Sequence, residues 1–197
     1  MAPRRHRRSS RSAARVSAVE TREVAVDIRP LSIEEFRNAI PALADLILDA
    51  VAGGAGVNFL DGATHEQAAD WWRAIDLVVA SHDTTVFGAF VDGRLVGSTL
   101  LARSTKQNSP HRAEIGKVIV LREMRRRGIA EALMRAAEDR ARRDGRWLLI
   151  LDTVEGSAAE ALYRKLGWNV TGVVPNYALL PDGTPAPATF FWKDLRE

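Results

Sequence analysis

With 197 residues, of which 46% are hydrophobic, the chain has the size of a single globular domain, and no apolar run approaches the roughly 20 residues that span a bilayer. The absence of cysteine excludes a disulfide framework, a thiol nucleophile and cysteine-ligated zinc or iron–sulfur sites, and it agrees with a cytoplasmic protein. The net charge of +3 hides an asymmetry: six arginines within residues 1–15 contribute +6, so the remaining residues sum to −3 and offer nucleic acid no basic surface in bulk.

Residues 1–22 form a basic segment that is rich in arginine and serine and poor in apolar side chains. A segment with so little apolar surface to bury is expected to stay disordered, so we interpret it as a tail. The same composition is typical of organellar transit peptides, and that alternative stays open. The folded domain is expected to occupy residues 23–197.

A strand and an interrupted helix open the predicted domain. Residues 24–28 alternate apolar and polar side chains, as a half-buried strand does. Ser32 and Glu35 form a capping box, which predicts that a helix begins there. Pro41 lacks a backbone donor and is expected to interrupt the helix, whose spacing resumes over residues 42–51.

The next predicted elements are a glycine-rich loop and a second helix. Residues 53–56 contain three glycines, which favour a flexible connection. Thr64 and Gln67 form another capping box, and the helix that begins there is expected to continue to Val79.

The remainder changes from antiparallel strands to an alternating pattern. The Asp92-Gly93 pair predicts a two-residue hairpin turn. Three strands are predicted around and after it, at residues 85–91, 95–102 and 113–121. A helix, a strand, a helix and two strands follow, at residues 128–143, 147–152, 157–166, 168–174 and 189–195. This order predicts an α/β fold of the mixed α+β kind, with a mostly antiparallel sheet of six or seven strands and helices on both faces.

The turn before the predicted helix at residue 128 has the character of an anion site. Arg125, Arg126 and Arg127 precede Gly128, and the small side chains of Gly128 and Ala130 allow a ligand to approach the backbone. The first amides of a helix have no partner within it, so together with the helix dipole they attract a phosphate. An ordinary strand-to-helix turn with solvated arginines is the alternative. The ending of a nucleotide-binding P-loop is missing.

Arg125, Gly128 and Ala130, placed after the strand at residues 117–120, resemble the acetyl-CoA motif Arg/Gln-x-x-Gly-x-Gly/Ala of the GNAT superfamily of N-acetyltransferases. The resemblance implies a GNAT fold, acetyl-CoA as co-substrate and no metal. It implies that strand backbone pairs with the pantetheine arm and that the turn holds the pyrophosphate. The cofactor-binding residues implied are Val118, Ile119, Val120, Arg125, Arg126, Arg127, Gly128, Ile129, Ala130, Glu131 and Ser157.

The resemblance continues over residues 151–168, which are similar to the second GNAT signature of a strand, a short helix with a tyrosine, and Leu-Gly-aromatic. Two departures are visible: Arg122 stands where many members have proline, and Ser157 where many have asparagine. Residues 51–59 and 181–191 also resemble the tabtoxin-resistance type of GNAT enzyme. This similarity implies a small amine acceptor, such as an amino acid or an antibiotic-like toxin.

Acetyl transfer to an amine needs a base for the amine and a proton donor for the departing thiolate. Glu114, eleven residues before Arg125, matches the position of a catalytic glutamate in the family, although an exposed residue paired with Arg112 is the alternative. Asp152 is a second acidic candidate that would bind the substrate amine, and a water relay is also open. The resemblance makes Tyr163 the general acid, whereas helical spacing alone would make it a core aromatic. The amide of Val118, Ile119 or Val120 is the expected oxyanion donor.

The acceptor pocket is predicted from a few exposed or aromatic positions. Besides Asp152, the predicted substrate residues are Trp72, Asn176 and Tyr177, and the loop at residues 53–61 and Trp71 are further candidates for the pocket lining. Adjacent tryptophans on a helix point in different directions, so one of the two is expected in the core. The histidines at positions 65, 82 and 111 lack metal-ligand spacing, so no metal site is assigned.

Four functional classes follow from these patterns. The leading one is acetylation of a small-molecule amine, with a role in toxin or antibiotic resistance. The others are acetylation of protein N-termini or lysines, a CoA-binding sensor without turnover, and nucleic-acid binding through the arginine-rich tail. The resemblance leaves a homodimer open as the oligomeric state, and no membrane partner is expected.

Overall fold

The computed structural model describes residues 25–196, so the tail expected over residues 1–22 lies outside the described residues. The helices are α1 (Ile33–Ala52), α2 (His65–Ala74), α3 (Asp76–Ala80), α4 (Ile129–Arg143) and α5 (Ala158–Lys165). The strands are β1 (Asp27–Pro30), β2 (Thr84–Val91), β3 (Arg94–Arg103), β4 (Arg112–Val120), β5 (Leu148–Val154), β6 (Asn169–Leu179) and β7 (Pro185–Asp194).

The seven strands of the described chain form one sheet in the order β1-β2-β3-β4-β5-β7-β6. Every neighbouring pair is antiparallel except β4 and β5, which run parallel. The β2–β3 hairpin turns at Asp92 and Gly93, which both have positive φ, as a two-residue turn of this type requires. The predicted mixed sheet is confirmed.

Helix α1 is continuous, so the predicted interruption at Pro41 was wrong. The helix buries an apolar face on both sides of the proline, with Phe36 and Ile40 before it and Leu43 and Ile47 after it. We attribute the continuity to this packing, which outweighs the loss of one backbone donor.

Several other boundaries differ from the predictions. The helix expected to reach Val79 divides at Ile75 into α2 and α3. The two final strands are longer than predicted, because β6 continues to Leu179 and β7 begins at Pro185. Pairing in the sheet extends both strands over residues whose turn-like composition gives no strand pattern.

The helices pack against the strands of the sheet. Helix α4 contacts β2, β3 and β4, helix α1 packs on β3 and β4, and α5 lies against β5. The face of α4 that enters the core carries Leu133, Met134, Ala137 and Ala141, all without measurable exposure. Across residues 25–196, no helix has the length and apolar character needed to cross a bilayer.

The strands β4 and β5 pair only at their beginnings and then separate. Their register covers Arg112 to Glu114 on β4 and Leu148 to Ile150 on β5. Beyond these pairs, β4 continues to Val120 and β5 to Val154 without bonding to each other. We call the gap between residues 115–120 and residues 151–154 the cleft. It leaves backbone of β4 free to pair with a ligand.

Candidate active site

A bulge distorts β4 where it borders the cleft. The register with β3 passes from Leu100↔Gly116 to Ser98↔Ile119, so Lys117 and Val118 together lie opposite Thr99. Lys117 has φ +51, in the left-handed region. The hydroxyls of Ser98 and Thr99 donate to the carbonyls of Lys117 and Gly116 at 3.3 and 3.1 Å, which fixes the bulge from the β3 side.

The start of α4 presents a row of unpaired amides. The first backbone bond of the helix runs from Ala132 to the carbonyl of Gly128, and in the described chain no acceptor contacts the amides of residues 126–131. Gly128 has φ +78 and open space where a side chain would project. We call these amides the cradle. Their number and the helix dipole suit a multiply charged anion.

The arginines around the cradle keep their charge available. Arg125 donates to the carbonyl of Val120 at 3.2 Å and Arg127 to that of Glu123 at 3.4 Å, and within residues 25–196 neither they nor Arg126 form an ion pair. Arg122, in contrast, donates from its side chain and its backbone to Asp49, both at 2.8 Å. Arg122 therefore ties the turn to the end of α1.

Two carboxylates share one face of the sheet beside the cleft. Glu114 pairs with Ile150, and Asp152 lies two residues further along β5, so both point to the same side. Partial desolvation and then repulsion from Asp152 raise the pKa of Glu114, while Arg112 acts in the opposite direction. Desolvation also raises the pKa of Asp152. The alternative of a Glu114–Arg112 ion pair is not observed, and no hydrogen bond within the described chain engages either carboxylate.

Tyr163 lies on α5 behind the same strand. The ring is buried against Phe191 and Trp168, with centroids at 5.9 and 6.2 Å. Burial, followed by the charge of Asp152, raises the pKa of Tyr163 well above its usual value. The hydroxyl makes no hydrogen bond to residues 25–196, and its raised pKa keeps the proton in place.

Lys117 is a residue of this site that sequence analysis did not identify. Its ammonium donates to the carbonyl of Val57 at 3.2 Å and lies 4.3 Å from the centroid of the Trp71 ring. Burial lowers the pKa of Lys117 to about 8, although the charge of Asp152 raises it. A lysine within the otherwise uncharged run from Ile115 to Val120 was the available signal.

The loop between α1 and α2, residues 53–64, closes this face of the cleft. Gly56 packs so closely on β5 that an added Cβ would lie 3.0 Å from Val154, while Val57 is held by Lys117 on β4. The backbone amide of Asp61 donates to the carbonyl of Pro181 at 2.8 Å, in the turn between β6 and β7. The loop thus connects both strands of the cleft to the far end of the sheet.

The profile of the family described as "Acetyltransferase (GNAT) family" matches residues 39–168, which is more than half of the chain. The protein belongs to the GNAT acetyltransferase family. The match contains the bulge, the cradle, both carboxylates and Tyr163.

Solved structures show the same fold. The yncA protein of Salmonella typhimurium, solved with its cofactor acetyl-CoA, is 20% identical over 88% of this chain and 95% of its own, with a TM-score of 0.70. A ribosomal-protein-alanine N-acetyltransferase of Brucella melitensis is 23% identical over 85% of this chain and 99% of its own, with a TM-score of 0.69. An N-acetyltransferase of Staphylococcus aureus Mu50 is 17% identical over 87% and 99%, with a TM-score of 0.71. At these identities the comparison establishes the GNAT fold and leaves the acceptor open.

The two adjacent tryptophans point in different directions, and one of them lies in the core. Trp72, predicted as a substrate contact, has no exposed surface and packs edge-on against Phe36 in the core. We therefore withdraw it from the substrate residues. Trp71 reaches Lys117 instead, because neighbouring helix positions point about 100° apart.

The other predicted contacts are placed as follows. Tyr177 is half exposed and packs edge-on against Phe190, the β7 partner of Asp152, so it borders the acidic face. Asn176 is exposed and adopts φ +53 within a bulge of β6. Ser157 caps α5 by accepting from the amide of Glu160 at 3.2 Å, which accounts for it structurally and leaves its cofactor contact a prediction.

The histidines are dispersed, and no three metal-ligating side chains cluster within the described part of the chain. His65 contacts the carbonyl of Pro41 at 3.1 Å, while His111 stacks on Trp147 at a centroid distance of 4.3 Å. His82 occupies a turn with φ +63.

Proposed function

We propose that the protein is an N-acetyltransferase that moves the acetyl group of acetyl-CoA directly to the amine of a small molecule, such as an amino acid or an antibiotic-like toxin. The observation that carries this proposal is the juxtaposition of an anion cradle, an open strand edge and two raised-pKa carboxylates around one cleft. The family membership and the acetyl-CoA of the yncA structure support the donor.

Acetyl-CoA fits the cradle and the cleft of this chain. The diphosphate would accept from the amides of residues 126–131, with Arg125 to Arg127 supplying positive charge. The pantetheine arm would pair with the free edge of β4, as an added strand does. Val118, which has no partner in the β3 register, is our candidate for the oxyanion donor.

The transfer then proceeds in one displacement. Glu114 accepts a proton from the acceptor ammonium, directly or through a water. The raised pKa of Glu114 makes it a stronger base, because it reduces the difference from the pKa of the ammonium. The neutral nitrogen attacks the thioester carbon and forms the amide bond. The C–S bond breaks, its electron pair goes to sulfur, and the hydroxyl of Tyr163 donates its proton to the leaving thiolate. The second proton of the attacking nitrogen passes through water to the Tyr163 oxygen, which restores the phenol, and Glu114 releases its proton to solvent.

The closed acceptor side favours a small acceptor over a protein chain. The 53–64 loop reaches β4 through Lys117, β5 through Gly56, and the β6–β7 turn through Asp61. An extended peptide would have to displace these contacts. The loop also brings together the two stretches, residues 51–59 and 181–191, that resemble the tabtoxin-resistance type, and this supports an acceptor of that class.

A thiol-release assay with acetyl-CoA tests the proposal against its alternatives. We expect turnover with members of a panel of amino acids and small amines, and none with peptides that offer an N-terminus or a lysine. Turnover restricted to the peptides would favour a protein acetyltransferase. Tight binding of acetyl-CoA without turnover on any amine would favour a sensor.

A further inference from the structure

Lys117 and Asp152 place opposite charges in one cleft without joining them. The two groups act on each other electrostatically, since Asp152 raises the pKa of Lys117 and Lys117 lowers that of Asp152. No ion pair connects them in the described chain. Lys117 is instead held towards the 53–64 loop by Val57 and Trp71.

The ammonium of Lys117 has hydrogen-bonding capacity left. It has three donors, and Val57 is the one acceptor that it reaches within residues 25–196, while Trp71 covers another side. Lys117 is partly desolvated, and a cation without a counter-ion in such a position is costly. A negatively charged group that accepts a hydrogen bond from Lys117 would therefore bind favourably. The carboxylates of Glu114 and Asp152 are likewise without hydrogen bonds in the described chain.

The geometry points to an acceptor that is a free amino acid, with its carboxylate on Lys117 and its amine towards Asp152 and Glu114. This inference rests on the proposed function, because it assigns the acceptor of the same site. A zwitterion joins the two separated charges and adds no net charge to the cleft. A polyamine would meet the repulsion of Lys117, and a peptide N-terminus has no adjacent carboxylate for it.

This assignment is tested by comparing three acetyl acceptors for each amino acid. They are the free amino acid, its primary amide and the amine that lacks the carboxylate. In the wild-type protein we expect kcat/KM for the free amino acid to exceed that for the amide by about tenfold or more, the range of a charge-assisted hydrogen bond. Lys117→Met should remove most of this ratio by raising KM, while Lys117→Arg, which keeps the cation, should retain it.

A pH series adds a measurement that a purely structural lysine would not change. Lys117 loses its proton above about pH 8, so KM for the free amino acid should rise there in the wild type and stay flatter in Lys117→Arg. The other titrating groups near it are Glu114 and Asp152, whose raised pKa values bear on the acid side of the same series. Acetyl-CoA binding and thermal unfolding of each variant check that the protein is folded.

The outcomes separate the two proposals. Equal rates on all three wild-type acceptors, or an equal loss on all three in Lys117→Met, would overturn the amino-acid assignment and leave small-amine acetylation standing. Absence of turnover on every small acceptor would overturn both.

Discussion

The cradle and the acceptor side of the cleft are built in different ways. The cradle is made of consecutive backbone amides at one helix start, and residues 126–131 supply all of it. The proposed acceptor side is made of side chains from distant parts of the chain, with Trp71 on α2, Lys117 on β4, Asp152 on β5 and Tyr177 on β6. The two halves of the site should therefore respond differently to substitution: the cradle to backbone changes, the acceptor side to changes of charge and shape.

The largest expected effect is on the cradle. Gly128→Val should weaken acetyl-CoA binding more than about 100-fold, because a β-branched residue does not tolerate φ +78 and loss of two charge-assisted hydrogen bonds costs roughly 3–6 kcal/mol. Isothermal titration calorimetry measures this affinity.

Gly145→Val is the matched control for that variant. Gly145 has φ +69 and equally open space, but it follows the opposite end of α4, about 22 Å away for a helix of 15 residues. It should lose a similar amount of stability and keep normal acetyl-CoA affinity. Equal loss of affinity in both variants would contradict the cradle.

Tyr163→Phe should lower kcat by about 10²-fold or more and leave the Kd of acetyl-CoA unchanged, because it removes the proton donor for the thiolate and keeps the buried ring. Single-turnover kinetics separate the two effects. Tyr177→Phe is the matching hydroxyl deletion on the acceptor side and is expected to act on KM. Undiminished kcat in Tyr163→Phe would remove the hydroxyl from the mechanism.

Glu114→Gln should lower kcat by about 10²-fold at most and abolish the acid limb of the pH–rate profile. In the wild type the rate falls as pH decreases through the raised pKa of Glu114, since the base is then protonated. Asp152→Asn removes the repulsion that helps to raise that pKa, so the limb should move to lower pH. A limb that stays in place would point to a base other than Glu114.

The smallest expected effect is at Ser157. Ser157→Ala removes the cap of α5 and should cost about 1 kcal/mol of unfolding free energy, measured by chemical denaturation. Thr64→Ala removes the corresponding cap of α2, away from the cofactor side, and provides the control. A loss of acetyl-CoA affinity in Ser157→Ala alone would show that the hydroxyl also contacts the cofactor.

Sequence patterns predicted correctly those features that depend on a few neighbouring residues. The capping boxes at Ser32 and Thr64 and the hairpin turn at Asp92-Gly93 occur as predicted, because each depends on hydrogen bonds or dihedral angles within a few residues. The motif at residues 125–130 likewise predicted the helix start with its unpaired amides, and the binding of an anion there stays a prediction. Pro41 shows the limit, since packing of α1 on the sheet decided that the helix continues.

The sequence by itself determined the order of most elements, and its resemblance to the GNAT motifs singled out the turn at residues 125–130, Glu114 and Tyr163, because such patterns and motifs run along single segments. Only the tertiary structure decided that Trp71 faces the cleft while Trp72 fills the core, and that Lys117 holds the 53–64 loop. The physical reason is that the loop and β4 lie about 60 residues apart in sequence, and the contact between Val57 and Lys117 forms only when the sheet and α1 have packed.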